Sequence, residues 1–487
     1  MIRPIAAATL LLVTACPPVH ADQPTSRKSW SRVFGDGMEL QVSAISAHPS
    51  GGYVIVGGTT NPSLATGSAF DSTLSGPADA WVARISESGQ LVWATYVGGG
   101  SYDWASGVAV SSQGIYVSGI TYSADFSDGS LPEAQTERTT FVVRMDIDGT
   151  NVLNRLIFDT GGEPTGMAVR PNGDVVVVGY TDKDLPVTGA VADRTRSGME
   201  SWVASISSGT VSWLSYLGGS GNDYISGVVA RPDGSIALVG STDSLDYPVT
   251  VGAYETTPFE YRSNFVSVLS GDGSSLVWST FLNDVSQVIG NSLYPIERLS
   301  LTADRSNGIY IAGETYPLPY AGDEERGTAV VHMKSDGSEL DEGKLLKGMV
   351  FQTKLKMLGK CLAISGGGSS SFVTTDKTAF HGYAGGDIWG TLDVAVALLP
   401  QSLNGRVRST LLGGSATDFA NDFIIDRKSL VLGGITISAD YPGNAGDTSG
   451  QWQGFVTKVR AFPGSASCEP RNNDAKKGNP SDDEFGE

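Results

Sequence analysis

Short apolar runs of about five residues recur along the whole chain, separated by polar, glycine-rich breaks, and no segment holds the 3.6-residue spacing of an amphipathic helix. Seven of these runs are copies of one strand motif: Trp81-Val-Ala-Arg-Ile85, Phe141-Val-Val-Arg-Met145, Trp202-Val-Ala-Ser-Ile206, Phe265-Val-Ser-Val-Leu269, Ala329-Val-Val-His-Met333, Val394-Ala-Val-Ala-Leu398 and Phe455-Val-Thr-Lys-Val459. Their first residues are 60, 61, 63, 64, 65 and 61 positions apart. A fixed period of this size with strand chemistry specifies a ring or stack of β-units.

The window from Ser101 to Gly161 shows one unit. Ser106–Val110, Ile115–Gly119, Phe141–Met145 and Val152–Phe158 read as four strands. A Ser112-Gln-Gly114 turn, a polar loop from Thr121 to Thr139 and an Asp148-Gly149 hairpin join them. Apolar runs rich in Val, Ile, Phe and Tyr, punctuated by Gly, Asn and Asp, make antiparallel hairpins. Four such strands are one propeller blade. The first hairpin recurs as Arg170-Pro-Asn-Gly-Asp174, Arg231-Pro-Asp-Gly-Ser235, Asp304-Arg-Ser-Asn-Gly308 and His48-Pro-Ser-Gly-Gly52, all residues chosen by turn geometry.

At the ends, Trp30–Phe34 reads as a fourth strand without a blade before it, while residues 421–459 supply only three strands. Pairing the two termini completes a seventh blade and removes exposed edges. The expectation is an all-β, seven-bladed propeller over 30–463, closed by its N-terminal strand.

The run from Trp213 to Val229, Arg231 to Thr242, and Asp246-Tyr-Pro248 resembles the bacterial seven-bladed β-propeller repeat called SBBP. The pattern is an aromatic-x-Gly-Gly-Ser turn, an Asp, a Gly-x-x-Val strand and a Ser/Thr-x-Asp-aromatic-Pro closure. Residues 93–126 and 411–442 match it nearly as well, whereas blades 5 and 6 depart from it around Asn283–Glu297 and Lys344–Gly366. The resemblance implies a secreted or surface-associated bacterial protein and no particular reaction.

Composition agrees with the pattern: 62 Gly among 487 residues and 17% charged residues fit a turn-dense fold with buried sheets. Arg3, the apolar run Ile5–Ala15 and the small residues after it read as a signal peptide over 1–21, too short to span a bilayer. Two cleavage sites compete. Val19-His-Ala21 fits a signal peptidase, whereas Val13-Thr-Ala-Cys16 resembles a lipobox that would lipidate Cys16. The first is preferred, because Pro17 directly follows that cysteine. Residues 22–29 are then a linker.

Export permits a disulfide between Cys361 and Cys468; a buried thiol at 361 and a loosely held one at 468 is the alternative. Residues 464–487 lack apolar periodicity and read as an acidic, disordered tail.

A net charge of −19 opposes nucleic acid and anionic lipid. The five lysines between Lys344 and Lys360 read as a solvated blade edge. His48, His332 and His381 lack metal-ligand spacing, and no nucleophile elbow stands between a strand and a helix. Asp146-Ile-Asp-Gly149 and Ser270-Gly-Asp-Gly273 look faintly like calcium loops but fall at hairpins. No cofactor or metal is implied.

In a four-stranded meander the long second-to-third-strand loops share a face with the inter-blade turns. That face would gather Glu39, Tyr102, Asp103, Trp104, Asp223, Tyr224, Asp418 and Phe419, together with Phe70, Tyr254, Phe259, Tyr261, Phe380, Tyr383 and Trp389 from the loops. Each Asp either caps its own turn, with the aromatics wedged between blades, or serves a binding face for a protein or glycan partner. The sequence therefore reads as an exported, non-catalytic scaffold for protein interaction, ligand binding or envelope assembly. A carbohydrate-active enzyme or lectin-like module, with carboxylates such as Asp103, Asp223 and Asp418, is the alternative.

Overall fold

The structure, a computed structural model, describes residues 29–35, 38–126, 137–289, 297–315, 326–369, 371–375, 392–427, 429–444 and 450–460. Cys16, the 1–21 segment, His381, Phe380, Tyr383, Trp389, Cys468 and the tail lie outside them. The described strands form seven antiparallel four-stranded sheets. Blades 1 to 6 are consecutive meanders over 44–97, 103–158, 164–217, 223–281, 297–347 and 349–412. Blade 7 takes three strands from 418–460 and its outermost strand from Trp30–Phe34. Trp30 lies opposite Lys458, and Phe34 opposite Gly454. Each inner strand packs on the next, and blade 7 meets blade 1. The molecule is a seven-bladed β-propeller, and its described helix is the single turn Ser286–Ile289.

Among the described residues the ring has no common core. Apolar side chains form seven clusters, each between two adjacent blades. Alternation along a third strand explains this: Trp81, Ala83 and Ile85 face blade 7, while Ala80 and Val82 face blade 2. Both faces are buried, so the repeated motif is apolar at nearly every position rather than at alternate ones. The same alternation corrects one copy. In blade 6, Ala395, Ala397 and Leu399 face blade 5, and Val394 and Val396 face blade 7. The sixth copy therefore starts at Ala395, one residue later than its apolar content suggests, because a one-residue slip exchanges the two faces.

A β-bulge interrupts the inner strands at a common place, between Ala105 and Gly107, Pro164 and Gly166, Ile225 and Gly227, and Ala420 and Asp422. A bulge turns its extra side chain out of the ladder. Here that side chain reaches the next blade. Ser106 Oγ donates to Pro164 O (3.4 Å), Thr165 Oγ1 to Ile225 O (2.7 Å), and Ser226 Oγ to Leu299 O (3.2 Å). Asn421 Nδ2 donates to Val42 O (2.8 Å), across the closure between blades 7 and 1.

The lysine-rich stretch does not form one edge. Lys344 and Lys347 lie on the outer strand of blade 5, Leu340–Lys347, but Lys354 and Lys356 lie on the inner strand of blade 6, Met349–Leu358. Gly348, with φ 71°, joins the two strands directly. The Gly-Gly turn that precedes blades 2, 3, 4 and 7 is thereby replaced by one residue, and the stretch runs from the outer edge of one blade to the inner strand of the next.

Candidate binding face

Asp103, Asp223 and Asp418 each open an inner strand, and the long loops close onto the same face. The three carboxylates are sealed from solvent, at 1%, 0% and 0% exposure. Each holds the turn before it and the strand beside it. Asp103 Oδ2 accepts from Gly99 N (2.7 Å) and Ser123 Oγ (2.8 Å). Asp223 Oδ2 accepts from Gly219 N (2.9 Å) and Ser244 Oγ (3.0 Å). Asp418 Oδ2 accepts from Gly414 N (2.8 Å) and Ser438 Oγ (3.0 Å). Burial raises the pKa of Asp103 and of Asp418 to about 6 and moves Asp223 upward as well.

A second buried acid meets each of them. Asp79, Glu200 and Asp393 open the third strands of blades 1, 3 and 6. A side chain on Gly98 would come within 2.6 Å of Asp79 Cγ and 2.9 Å of Asp103 Oδ2. One on Gly218 would overlap both Glu200 Oε1 and Asp223 Oδ2, and one on Gly413 would overlap Asp393 Oδ1 and approach Asp418 Oδ2 to 2.7 Å. The first glycine of each Gly-Gly pair is thus the floor on which two acids converge. Burial, with the Asp223 charge second among the raising influences, lifts Glu200 to about 8. These partner acids escape a reading based on inter-blade turns, although Asp79 and Glu200 stand two residues ahead of the motif's Trp.

Side chains next to the sealed acids form a rim around the mouth of the central channel. Tyr102 is 58% exposed, and Glu39 is exposed at the related place in blade 1. Trp104 lies flat over Gly58 of blade 1, where no side chain would fit. Tyr224 meets Tyr180 of blade 3 edge-on, with ring centroids 5.2 Å apart. Phe419 lies 6.3 Å from Phe351 of blade 6 and 6.2 Å from Trp452. The Arg298 guanidinium stands 5.1 Å above the Phe351 ring. Each of these rings bridges two blades while staying partly open to solvent. Arg298, Phe351 and Gln352 hold left-handed backbone, at φ 54°, 56° and 46°. Non-glycine residues in that region cost of order 1 to 3 kcal/mol each and cluster at functional sites.

Further down the channel, Lys356 Nζ pairs with Asp422 Oδ1 at 2.9 Å. Asp422 also accepts from Ile45 N at 3.2 Å. Lys354, on the same strand, is half-buried, and burial pulls its pKa down. Asp422 is the acid that acts on it and is already engaged by Lys356. Both lysines follow Phe351 on the strand Met349–Leu358, in a chain whose net charge is −19.

A separate groove of about 450 Å³ opens between blades 3 and 4, lined among others by Asp193, Ser197, Gly218, Gly219, Ser220 and Asp246. The two motifs that resemble calcium loops are hairpin turns: Asp146 accepts from Thr150 N (2.8 Å) and Asn151 Nδ2 (2.7 Å), and Gly149 and Gly273 both take φ 72°. Cys361 is buried and disulfide-bonded, with its partner outside the described residues.

No family model and no curated protein matches the sequence. Among solved structures, the chain is similar to the polysaccharide lyase Uly1, at 10% identity and TM-score 0.47 over 91% of this chain and 94% of that one. It is also similar to BamB from Moraxella catarrhalis, at 10% identity and TM-score 0.40 over 89% and 99%. A protein of unknown function from Dyadobacter fermentans gives 10% identity and TM-score 0.43 over the same shares. Likeness at these levels carries nothing about activity, ligand or partner. Among the described residues, no helix is long and apolar enough to cross a membrane.

Proposed function

We propose that this chain is an exported, non-catalytic propeller of the SBBP type that binds a partner at the long-loop mouth of its channel, through the aromatic rim and with an anionic group directed at Lys354. The observation that carries this reading is the rim itself: Trp104, Tyr224, Phe351 and Phe419, partly open, on strands braced by both neighbours. Large rigid aromatic faces offer contact area at low entropic cost, and loops on a rigid scaffold are where binding sites usually sit. The sealed acids support a scaffold over a hydrolase. A glycosidase needs two carboxyls that reach the substrate, whereas Asp103, Asp223 and Asp418 face inward and repeat from blade to blade.

Export rests on the Arg3–Ala15 pattern, with the mature chain starting at Asp22 and Cys16 lipidation as the competing route. The disulfide of Cys361 is assigned to Cys468, which would tie the acidic tail to blade 6.

The test is affinity capture from native envelope and culture supernatant, with mass spectrometry of the mature N-terminus and of co-eluting species. One stoichiometric partner should elute with the wild type and be lost from Phe351→Ala/Phe419→Ala, while Leu153→Ala, an exposed position on the outer strand of blade 2, should retain it. Equal recovery by all three would remove the rim from the interaction.

A further inference from the structure

The blade 3–4 junction places two carboxyls together in a site sealed from water, and the surrounding groups determine what balances their charge. Glu200 is 1% exposed and Asp223 0%. Glu200 Oε2 accepts from Ser197 N at 3.0 Å, and Asp223 Oδ2 from Gly219 N and Ser244 Oγ. Glu200 Oε1 and Asp223 Oδ1 find no hydrogen-bond donor. Glu200 Oε1 and Asp223 Oδ2 converge on the place that a Cβ of Gly218 would occupy.

The other titratable groups facing the pair offer no compensation. Asp193 from the blade 3 loop and Asp243 from blade 4 add negative charge, and Tyr216 and Tyr247 are neutral phenols held by burial. Arg196, a cation that acts on Glu200, is bonded to Asp184 at 3.0 Å. Two adjacent carboxyls in low dielectric cannot both ionise without large cost. A divalent cation would need several further oxygen ligands, but the groups turned toward these carboxyls are N–H and O–H donors.

We propose that Glu200 and Asp223 share one proton, carried by Glu200, and that this proton clasps blade 3 to blade 4 and holds down the Gly218–Gly219 turn that floors the adjacent groove. Asp79 with Asp103 repeats the convergence at the blade 1–2 junction, with Asp71 and Asp125 as its acidic surroundings. The groove is thereby coupled to pH: ionising Glu200 sets two charges against each other directly under its floor.

Infrared difference spectroscopy and thermal unfolding of the full chain test this. Wild type should retain a protonated-carboxyl band at neutral pH that disappears as pH rises through about 8, with Tm falling as pH rises from about 4.5 to about 8 and levelling beyond it. Glu200→Gln keeps a donor without a titrating proton, so the part of the band that is lost near pH 8 should be missing and Tm should fall less over that interval than in wild type. If that variant does not fold, Asp223→Asn should fold and move the band's loss to lower pH. Absence of the band in wild type at neutral pH overturns the proposal. So does a saturable rise in Tm with calcium chloride that Glu200→Gln abolishes, since a cation would then occupy the junction.

Discussion

Two glycines with the same backbone and different surroundings separate turn geometry from packing. Gly273 and Gly234 take φ 72° and 86°, but a side chain on Gly273 would lie 2.6 Å from Trp213 Cδ2, whereas one on Gly234 would meet nothing within 4 Å. Trp213 belongs to the outer strand of blade 3 and covers the hairpin of blade 4. Trp278 covers Gly337 of blade 5 in the same way, and Trp30 covers Gly89 of blade 1. Gly234→Ala should cost only the left-handed backbone energy, about 1–2 kcal/mol. Gly273→Ala should cost a further ~1–3 kcal/mol by driving a methyl group into the indole. Thermal unfolding of the two variants side by side measures the difference. Equal shifts would mean that the tryptophan yields freely and does not brace the neighbouring blade.

At the scale of strands, the inner strand does two jobs: its bulge ties blade to blade, and its first residue holds the preceding turn. Asn421→Ala leaves Val42 O without its side-chain donor at the closure and should cost about 1–3 kcal/mol. Thermal unfolding should place it below wild type by more than an exposed-site alanine such as Ser88→Ala. The first residue predicts a pH dependence. An acid whose folded pKa lies above its unfolded value stabilises the fold while protonated, and that stability is lost as pH rises to the folded value. Asp103 sits at about 6, so its contribution is full below about pH 4 and gone above about pH 6. Asp103→Asn should therefore gain on wild type as pH rises through that window, and a constant Tm difference from pH 4 to pH 7 would contradict it. The position of Asp103 was legible in sequence, because Gly-Gly four residues before it and Thr-x-Ser after the hairpin repeat with it. Its partner Asp79 was not, since the two are 24 residues apart and meet only after a blade has folded. The lysines at 354 and 356 misled for a related reason: composition marks an edge, but the single-residue turn at Gly348 carries the chain to the axis.

For the whole molecule, the decisive contact joins its two ends. Seven copies of a motif predict seven blades without saying how the circle is fastened; an unpaired strand at the start and a three-stranded unit at the finish supply that. The structure adds what the strand count could not. Ser31 Oγ meets Thr457 Oγ1 at 2.6 Å, and Lys458 Nζ bonds both Asp426 Oδ2 (2.7 Å) and the Tyr53 hydroxyl (2.8 Å), which itself donates to Asp426 at 2.6 Å. Blade 7 is thus pinned to blade 1 as well as completed by Trp30–Phe34. A chain beginning at Gly35 loses that outer strand and the Trp30 cover on Gly89, and exposes the edge of Gln453–Arg460. An uncovered edge recruits other chains, so the truncated protein should unfold at lower temperature and run as dimers and larger species in size-exclusion chromatography with light scattering. A peptide of residues 29–35 added in trans should restore the monomer, because the vacancy is a single strand with a fixed register. Failure of the peptide, with the truncated chain still monomeric, would show that the Lys458–Asp426–Tyr53 network closes the ring without the N-terminal strand.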